Sequence, residues 1–388
     1  MPKISIPLLF LTIITSHQAS GATSPLQITA QPHNIETVFD WSKQRCFKEN
    51  IPDSPARAFH SIDGSVYLYA THYKNTPLKG SSLDSLEPDC NTLFSGSLDS
   101  NPEHYDARIW LQTFYSTNKG QDIYSLGSSD YHGKWFNNCQ HNDNHDCWMS
   151  AIVLAHSGDG GKHFRSAPAP HHIIAKSPAS FSNTRKGATG FLTTSNIVMI
   201  GEHYYALFNT AAHKKQARGN CLARTKDLAN PRSWLAWDGK DFSDPLYKNT
   251  DPNSDGQTCK TLKTLPYKIR SLLWHPASKQ YIAVFEVTES HKANKKIDIH
   301  FSYALSKNLK DWSNPETIIT LKGNEHCQNT QIAGAYPSII DSTSSDENFG
   351  TVSDTAHLYY TRFNLNPSCQ QTFDRDLVRI PIQIRSKQ

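Results

Sequence analysis

The sequence lacks several features that mark common classes of protein. Beyond its N-terminal segment, no apolar run approaches the length of a membrane span. It has no Gly-x-Ser-x-Gly elbow and no Walker loop, and the glycine-rich residues 158–161 follow a strand-like run but open no helix. We therefore expect no membrane association of the mature chain, no serine-hydrolase elbow, and no phosphate or nicotinamide cofactor.

The chain also lacks the charge imbalance of a nucleic-acid-binding protein. Its 39 Lys and Arg residues are dispersed and nearly matched by 35 Asp and Glu, so we expect no nucleic acid partner. Amphipathic helices of three turns are absent too. Short strand-like runs alternate with Gly, Asn, Asp and Pro turns, which predicts an all-β fold.

The first 22 residues have the pattern of a secretory signal peptide. A positive start at 1–3 precedes an apolar run at 4–14, and small residues follow at 19–22. We predict cleavage near Ala22, a signal peptide at 1–22 and one propeller domain at 23–388. The mature protein is then secreted or periplasmic.

All eight cysteines lie beyond this segment, and an even number in an exported chain favours disulfides. Eight cysteines allow 105 connectivities. The order along the chain suggests that neighbours pair. The suggested pairs are Cys46–Cys90, Cys139–Cys147, Cys221–Cys259 and Cys327–Cys369.

A hairpin signature recurs three times, at residues 157–164, 224–234 and 305–312. Each copy has a Ser or Thr at or next to its start, a polar turn and an aromatic close. Ser157 and Thr225 are 68 positions apart, and Thr225 and Ser306 are 81 apart. Such spacing is typical of the blades of a β-propeller. The residues expected in equivalent turns at the blade rims are Asp159, Asp227 and Asn308.

Five segments of this kind cover the chain after a helix that we predict at 35–43 as an N-terminal cap. Each segment opens on polar or small residues and continues into β-branched and aromatic runs. The five segments are 52–97, 105–164, 190–237, 267–312 and 335–384. They predict an all-β, five-bladed β-propeller with a short helical cap.

These residues resemble the five-bladed propellers of glycoside hydrolase family 43 and its relatives in families 32, 68 and 117. Residues 226–234 and 306–312 resemble the Asp-Leu-x-x-Trp edge of those proteins. Residues 52–59, running into 64–71, are similar to the opening strand that carries an inward Asp there. Residues 157–164 resemble a sialidase Asp-box, which is a structural turn.

The resemblance implies three inward acids, of which two have counterparts here. The base of the first blade corresponds to Asp53, and the Asp of the second blade corresponds to Asp106. The third segment opens without a carboxylate where the acid Glu should lie. The candidates for the missing acid are Asp130 and Glu286.

Two arginines lie close in sequence to these acids. Arg57 follows Asp53, and Arg108 follows Asp106. Either arginine would keep its acid ionised or bind a substrate carboxylate. The alternative is a structural Asp–Arg network at the blade starts. Both interpretations stay open on the sequence alone.

Other polar residues near the expected funnel are candidate contacts to sugar hydroxyls, although a structural role is the alternative for each. They are His60, His72, His132 and Asn196. The loop 139–147 contains two histidines and two aspartates between cysteines. Such a loop can hold a divalent cation, but flanking cysteines favour a disulfide-bonded surface loop, so we predict no metal site.

Together these features predict a carbohydrate-active propeller whose central funnel binds a glycan. The primary hypothesis is a divergent glycoside hydrolase, and the alternative is a non-catalytic glycan-binding or surface-interaction propeller. We expect a monomer. The sequence does not give the sugar, the general acid or the stereochemical outcome.

Overall fold

The computed structural model describes residues 25–291, 296–322, 327 and 333–387. Its strands form four hydrogen-bonded sheets, and the largest sheet divides at a parallel pairing into two antiparallel groups. We call the resulting five groups blades I to V in chain order of their inner strands. The predicted signal peptide at 1–22 lies outside the described residues. Within those residues, no helix is long and apolar enough to cross a bilayer.

The first three blades lie between Arg57 and Pro245. Blade I contains β3 (Arg57–His60), β4 (Val66–Tyr69), β5 (Leu78–Gly80) and β6 (Glu87–Pro88). Blade II contains β7 (Arg108–Thr117), β8 (Asp122–His132), β9 (Trp148–Ser157) and β10 (Ile173–Ala175). Blade III contains β11 (Ala188–Thr194), β12 (Val198–Ile200), β13 (His203–Thr210), β14 (Gly219–Thr225), β15 (Leu235–Trp237) and β16 (Phe242–Pro245).

The last two blades complete the ring. Blade IV contains β17 (Ile269–His275), β18 (Gln280–His291), β19 (Lys296–Ser306) and β20 (Glu316–Lys322). Blade V contains β21 (Gly334–Ile340), β22 (Thr355–Phe363), β23 (Arg375–Ser386) and, from the other end of the chain, β1 (Leu26–Ala30) and β2 (Glu36–Phe39).

The inner strands of the blades form a closed ring. These strands, β3, β7, β11, β17 and β21, each contact the next inner strand around the axis, and β21 contacts β3. A short parallel pairing of β9 with β11 also joins blade II to blade III. The connectivity therefore confirms the predicted all-β, five-bladed propeller.

Blade V is closed by the N-terminal strand. β1 pairs antiparallel with β23, from Leu26 opposite Ser386 to Ala30 opposite Ile382. Leu26 and Ile28 point into the core between blades IV and V, whereas Gln27 lies on the exposed face. This alternation is the period of two that a strand covering one side of a core requires.

The hairpin prediction is confirmed for all three turns. Asp159, Asp227 and Asn308 each lie between the third and fourth main strands of successive blades II, III and IV. In the first turn, the Asp159 carboxylate accepts the backbone N–H groups of Lys162 and His163. In the last turn, the side-chain oxygen of Asn308 accepts the backbone N–H groups of Lys310 and Asp311 in the same way.

The predicted helix at 35–43 is largely wrong. Residues Glu36–Phe39 form β2 and pair with β23, and only Trp41–Gln44 are helical, as α1. Asp40 begins this single turn by accepting the Lys43 N–H through its side chain. The β-branched Thr37 and Val38 favour a strand where an edge of the blade is free to pair.

The predicted cysteine pairing is confirmed. The structure contains Cys46–Cys90, Cys139–Cys147, Cys221–Cys259 and Cys327–Cys369, and it leaves no free cysteine among the described residues. Three of these pairs connect residues 38 to 44 positions apart. Each of the three therefore restrains one region of the unfolded chain.

We expect the purified protein to contain no free thiol. Thiol titration of protein unfolded without reductant should detect fewer than one reactive group per chain. The same titration after reduction should detect all eight cysteines. Two or more reactive thiols before reduction would contradict the complete disulfide framework.

Candidate functional site

Polar side chains from four blades meet at the end of the axis where the inner strands begin. Because each inner strand starts at the same end of the ring, residues just before or just inside these starts converge. We call this set the funnel site. Its members are Asp53, His72, Arg108, Trp110, Asp130, Lys268, Arg270, Glu286, Tyr336 and Arg375.

Asp53 is the group on which most of these contacts converge. It directly precedes blade I, and its backbone N–H donates to Ala70. One carboxylate oxygen accepts the Trp110 indole N–H at 3.2 Å. The other accepts the Tyr336 hydroxyl at 3.2 Å and is paired with Arg375 at 2.5 Å. Blades II and V therefore fix the orientation of a carboxylate from blade I.

Tyr336 donates hydrogen bonds to two carboxylates of the funnel site, Asp53 and Glu286. Its hydroxyl donates to Asp53, and its backbone N–H donates to Glu286 at 3.1 Å. Burial and the charge of Asp53 raise the pKa of Tyr336 well above its usual range. Its φ of 63° lies in the left-handed region that bulky residues avoid. Strain of this kind is concentrated at functional sites.

Glu286 lies in blade IV among cations. Arg270 donates to it through two nitrogens, Nε at 3.1 Å and a second, shorter contact from Nη2. Burial alone would raise the pKa of Glu286, but the charge and hydrogen bonds of Arg270, together with Lys268, lower it overall. Glu286 is therefore an ionised carboxylate and does not have the raised pKa of a general acid.

Asp130 lies on β8, opposite Arg108 in the strand register. One of its oxygens accepts two hydroxyls, from Ser128 at 2.7 Å and Ser150 at 2.6 Å. Unlike Asp53 and Glu286, it forms no ion pair with an arginine among the described residues. The negative charge of Asp130 acts to raise the pKa of Lys268 in blade IV.

Asp106 differs from the arrangement that its sequence position predicted. Its carboxylate accepts the backbone N–H of Ser97, and no described contact connects it to Asp53. Arg108 does not pair with it either. The Arg108 guanidinium lies 3.6 Å over the Trp135 ring and 4.9 Å over the Tyr73 ring. Strand pairing and aromatic stacking therefore determine the position of the Arg108 side chain, although Asp106 is nearer in sequence.

Arg57 differs in the same way, because the cation beside Asp53 is Arg375. The Arg57 side chain is only 2% exposed. It donates to the backbone carbonyl of Ala56, to the Ser338 hydroxyl and to the Arg270 carbonyl across the ring. Arg57 therefore joins blades I, IV and V in the interior of the ring and is not accessible to a ligand.

Of the predicted histidines, His72 belongs to the funnel site, and His132 lies beside it among the aromatic rings next to Arg108. His72 Nε2 is 3.7 Å from Asp53, and burial, opposed by the Asp53 charge, lowers its pKa to about 4. His132 stacks between Trp135 and Trp148, with ring centroids 3.9 and 4.6 Å away. Burial lowers the pKa of His132 as well. Both rings are therefore neutral at neutral pH.

His60 and Asn196 lie away from the inner-strand starts. His60 ends β3 and stacks on Phe349 at 4.7 Å. Asn196 follows the end of β11. The oxygen of its side-chain amide accepts the Leu272 N–H at 3.0 Å, which joins blade III to blade IV. These contacts indicate a structural role for both residues in the packing of the ring.

Polar groups of the loop between Cys139 and Cys147 contact the backbone of the segment that precedes β11. His141 Nε2 lies 2.9 Å from the Thr184 carbonyl, and the Asp146 carboxylate accepts the Gly187 N–H. Among the residues that the structure describes, no group of three or more possible metal ligands is found.

Sequence reasoning missed several members of the funnel site. Lys268 and Arg270 alternate at the opening of the fourth predicted segment, and Tyr336 lies at the opening of the fifth. These three residues lie at segment starts, as Asp53 does. That shared position could have identified them as candidates for the funnel site. Arg375 begins β23, the third strand of its blade, and no local pattern marks it.

Comparisons with known proteins report similar folds at low identity. No known family model matches the sequence, and none of the characterised proteins compared with it is a recognisable relative. An endo-arabinase from Bacteroides thetaiotaomicron is 14% identical, with a TM-score of 0.47, over 90% of this chain and 98% of its own. An α-L-arabinanase from Cellvibrio cellulosa is 11% identical, with a TM-score of 0.47, over 84% and 90%.

A family 32 β-fructofuranosidase from Bombyx mori, solved with sucrose, is 12% identical, with a TM-score of 0.47. The match covers 90% of this chain and 63% of that one. These solved structures are glycosidases that share an approximate fold with the chain. At these identities and TM-scores no activity is transferred from the neighbours. The assignment of five blades rests on strand connectivity, and any function must be argued from the funnel site.

Proposed function

We propose that the protein is a carbohydrate-active propeller, a divergent glycoside hydrolase that acts on a glycan in the funnel site. The observation that carries this proposal is the fixed orientation of Asp53 by Trp110, Tyr336 and Arg375. A solvent-accessible carboxylate held by side chains of two other blades is preorganised for chemistry at the axis. Surface ion pairs do not require such convergence.

The proposed mechanism assigns a base and an acid to different carboxylates. Asp53 takes a proton from the attacking water, and Arg375 balances its charge. In its protonated form Asp130 donates a proton to the leaving oxygen. It is the funnel carboxylate that forms no ion pair with an arginine among the described residues, and its second oxygen is free of the serine hydrogen bonds. A pair of carboxyl groups in these roles is what glycoside hydrolysis requires.

Glu286 has a positioning role in this proposal. Held ionised by Arg270, it accepts the Tyr336 N–H and so fixes the residue whose hydroxyl contacts Asp53. The aromatic wall of Tyr73, Trp135 and Trp148 beside Arg108 offers faces on which sugar rings stack.

A non-catalytic glycan-binding propeller is the second candidate. The observation that favours it is the lowered pKa of Glu286, because Glu286 then lacks the protonation that a hydrolase needs in its acid. In that case Asp53 accepts hydrogen bonds from sugar hydroxyls, and no bond is cleaved.

The deciding experiment measures cleavage and binding in parallel. Wild-type protein and Asp53→Asn are tested against pentosyl, fructosyl and sialyl substrates and on a glycan array. A hydrolase cleaves at least one substrate, and the variant does not. A binding propeller shows affinity without turnover in either form. If the wild type neither cleaves nor binds any glycan, the carbohydrate function is wrong.

We also propose that the chain is exported and acts as a monomer, with residues 23–388 as one propeller domain. The four disulfides support export, because such bonds persist in oxidising compartments. The proposal needs no cofactor and no metal.

A further inference from the structure

Cationic side chains outnumber carboxylates around the funnel site. Asp53 is paired with Arg375, and Glu286 is paired with Arg270. When these pairs are set aside, the funnel site keeps one carboxylate, Asp130, and two cations, Arg108 and Lys268.

Lys268 is the cation best placed to meet a ligand. Among the described residues it has no hydrogen bond or ion pair, and its side chain keeps partial access to solvent. Burial, followed by repulsion from Arg270, lowers its pKa to about 8. A group that is crowded by protein and still accessible lies in a recess. Its charge is therefore exposed to a ligand and poorly solvated by water.

Arg108 is a second cation that forms no ion pair among the described residues, although the charge of Glu49 acts on it. Its guanidinium stacks over Trp135 and Tyr73, and its buried Nε has no hydrogen-bond partner in the described part of the chain. Burial lowers the pKa of Arg108, which nevertheless stays charged. Its flat donor face, set among aromatic rings, suits an anionic group on a stacked sugar.

We propose that the glycan bound in the funnel site is anionic and that Lys268 and Arg108 bind its carboxylate or sulfate groups. This inference rests on the proposed carbohydrate function and adds the substrate class. An anionic ligand supplies a counter-charge to Lys268 and Arg108, neither of which forms an ion pair among the described residues.

The proposal carries a pH dependence with a definite sign. The groups that act on Lys268 are Arg270 and Arg218, which repel its charge, and Glu286 and Asp130, which stabilise it. A bound anion favours the protonated ammonium, so the pKa of Lys268 rises on binding. Affinity is then full below about pH 8 and falls as the pH rises above that value.

The test compares charged and neutral forms of the same glycan. Calorimetry measures the binding of oligogalacturonate and its methyl ester, and of a sulfated galactan and its desulfated form. The proteins compared are wild type, Lys268→Met, Lys268→Arg and Arg108→Met. The control is Lys226→Met, an exposed lysine on a blade rim that pairs with Glu202.

We expect the wild type to prefer one charged form over its neutral counterpart by about tenfold or more. Lys268→Met should remove that preference, Lys268→Arg should retain part of it with no loss above pH 8, and the control should match wild type. If the protein prefers oligogalacturonate over its methyl ester, the bound group is a carboxylate. If it prefers the sulfated over the desulfated galactan, the bound group is a sulfate.

Three results would overturn the proposal. Equal or tighter binding of the neutral forms overturns it and leaves the carbohydrate function standing. A preference for charged forms that survives Lys268→Met and Arg108→Met overturns the assigned residues. The absence of binding or cleavage with every glycan, charged or neutral, overturns the proposed function as well.

Discussion

Replacing Asp53 by asparagine should lower turnover by about 10²–10⁴-fold, the usual contribution of a general acid or base. The amide keeps the shape of the side chain and the hydrogen bond from Trp110, but it cannot take a proton from water. Arg375 loses its charged partner, so the side chain also becomes less firmly held. Turnover numbers at saturating substrate measure the loss directly.

A matched control is available one blade away. Asp106→Asn makes the same chemical change at a carboxylate that contacts Ser97 and has no described contact with Asp53. We expect turnover within a few-fold of wild type for this variant. If Asp106→Asn were as damaging as Asp53→Asn, the assignment from sequence resemblance would be restored and the structural placement of the site would need revision.

The two functional hypotheses diverge in this experiment. A hydrolase loses turnover in Asp53→Asn and retains much of its ground-state affinity. A binding propeller shows no turnover in either form, and the same change weakens glycan affinity by about 1–3 kcal/mol, the range for hydrogen bonds to charged groups. Thermal unfolding of both variants checks that neither result comes from loss of the fold.

The features that sequence predicts well are those encoded by local chemistry. The turns at Asp159, Asp227 and Asn308 were predictable because a side-chain oxygen satisfies backbone N–H groups only a few residues away. The segment boundaries followed from such turns. Cysteine order was sufficient for the disulfides because each of the four lies within or beside a single blade.

The features that sequence misses depend on long-range pairing. Arg375 and Tyr336 reach Asp53 across 322 and 283 positions, and no local pattern records either contact. Proximity in sequence instead suggested Arg57 for Asp53 and Arg108 for Asp106. In an antiparallel blade, neighbours in space come from other strands, so both partners were misplaced.

The N-terminal segment shows the same limit. A helix was predicted at 35–43 from partly helical spacing of apolar residues, but β23 offers an edge that Glu36–Phe39 pair with. The tertiary pairing outweighs a weak local preference. The closing role of β1 could not be predicted for the same reason, because its partner lies at the opposite end of the chain.

The double substitution Leu26→Ala and Ile28→Ala should lower the free energy of unfolding by about 4–8 kcal/mol. Both side chains are at most 2% exposed, and each removal of a large aliphatic group from a core costs about 2–5 kcal/mol. The loss is comparable to the 5–15 kcal/mol total stability of typical proteins. Denaturant unfolding measures it.

The control for this change lies on the same strand. Gln27→Ala and Thr29→Ala alter the exposed face of β1 and keep its pairing with β23, so a loss of about 1 kcal/mol or less is expected. If both double variants lost the same stability, the effect would come from strand propensity, and the apolar seal between β1 and blades IV and V would not be the cause.

The same variants separate stability from chemistry. β1 pairs with the final residues of β23, from Ile382 to Ser386, whereas Arg375 lies at the opposite end of that strand beside Asp53. Under conditions where Leu26→Ala/Ile28→Ala is still folded, its affinity for a glycan should match wild type even though its midpoint of unfolding is lower. Loss of affinity in fully folded protein would show that closure of blade V holds Arg375 in place, and the funnel site would then depend on the N-terminal strand.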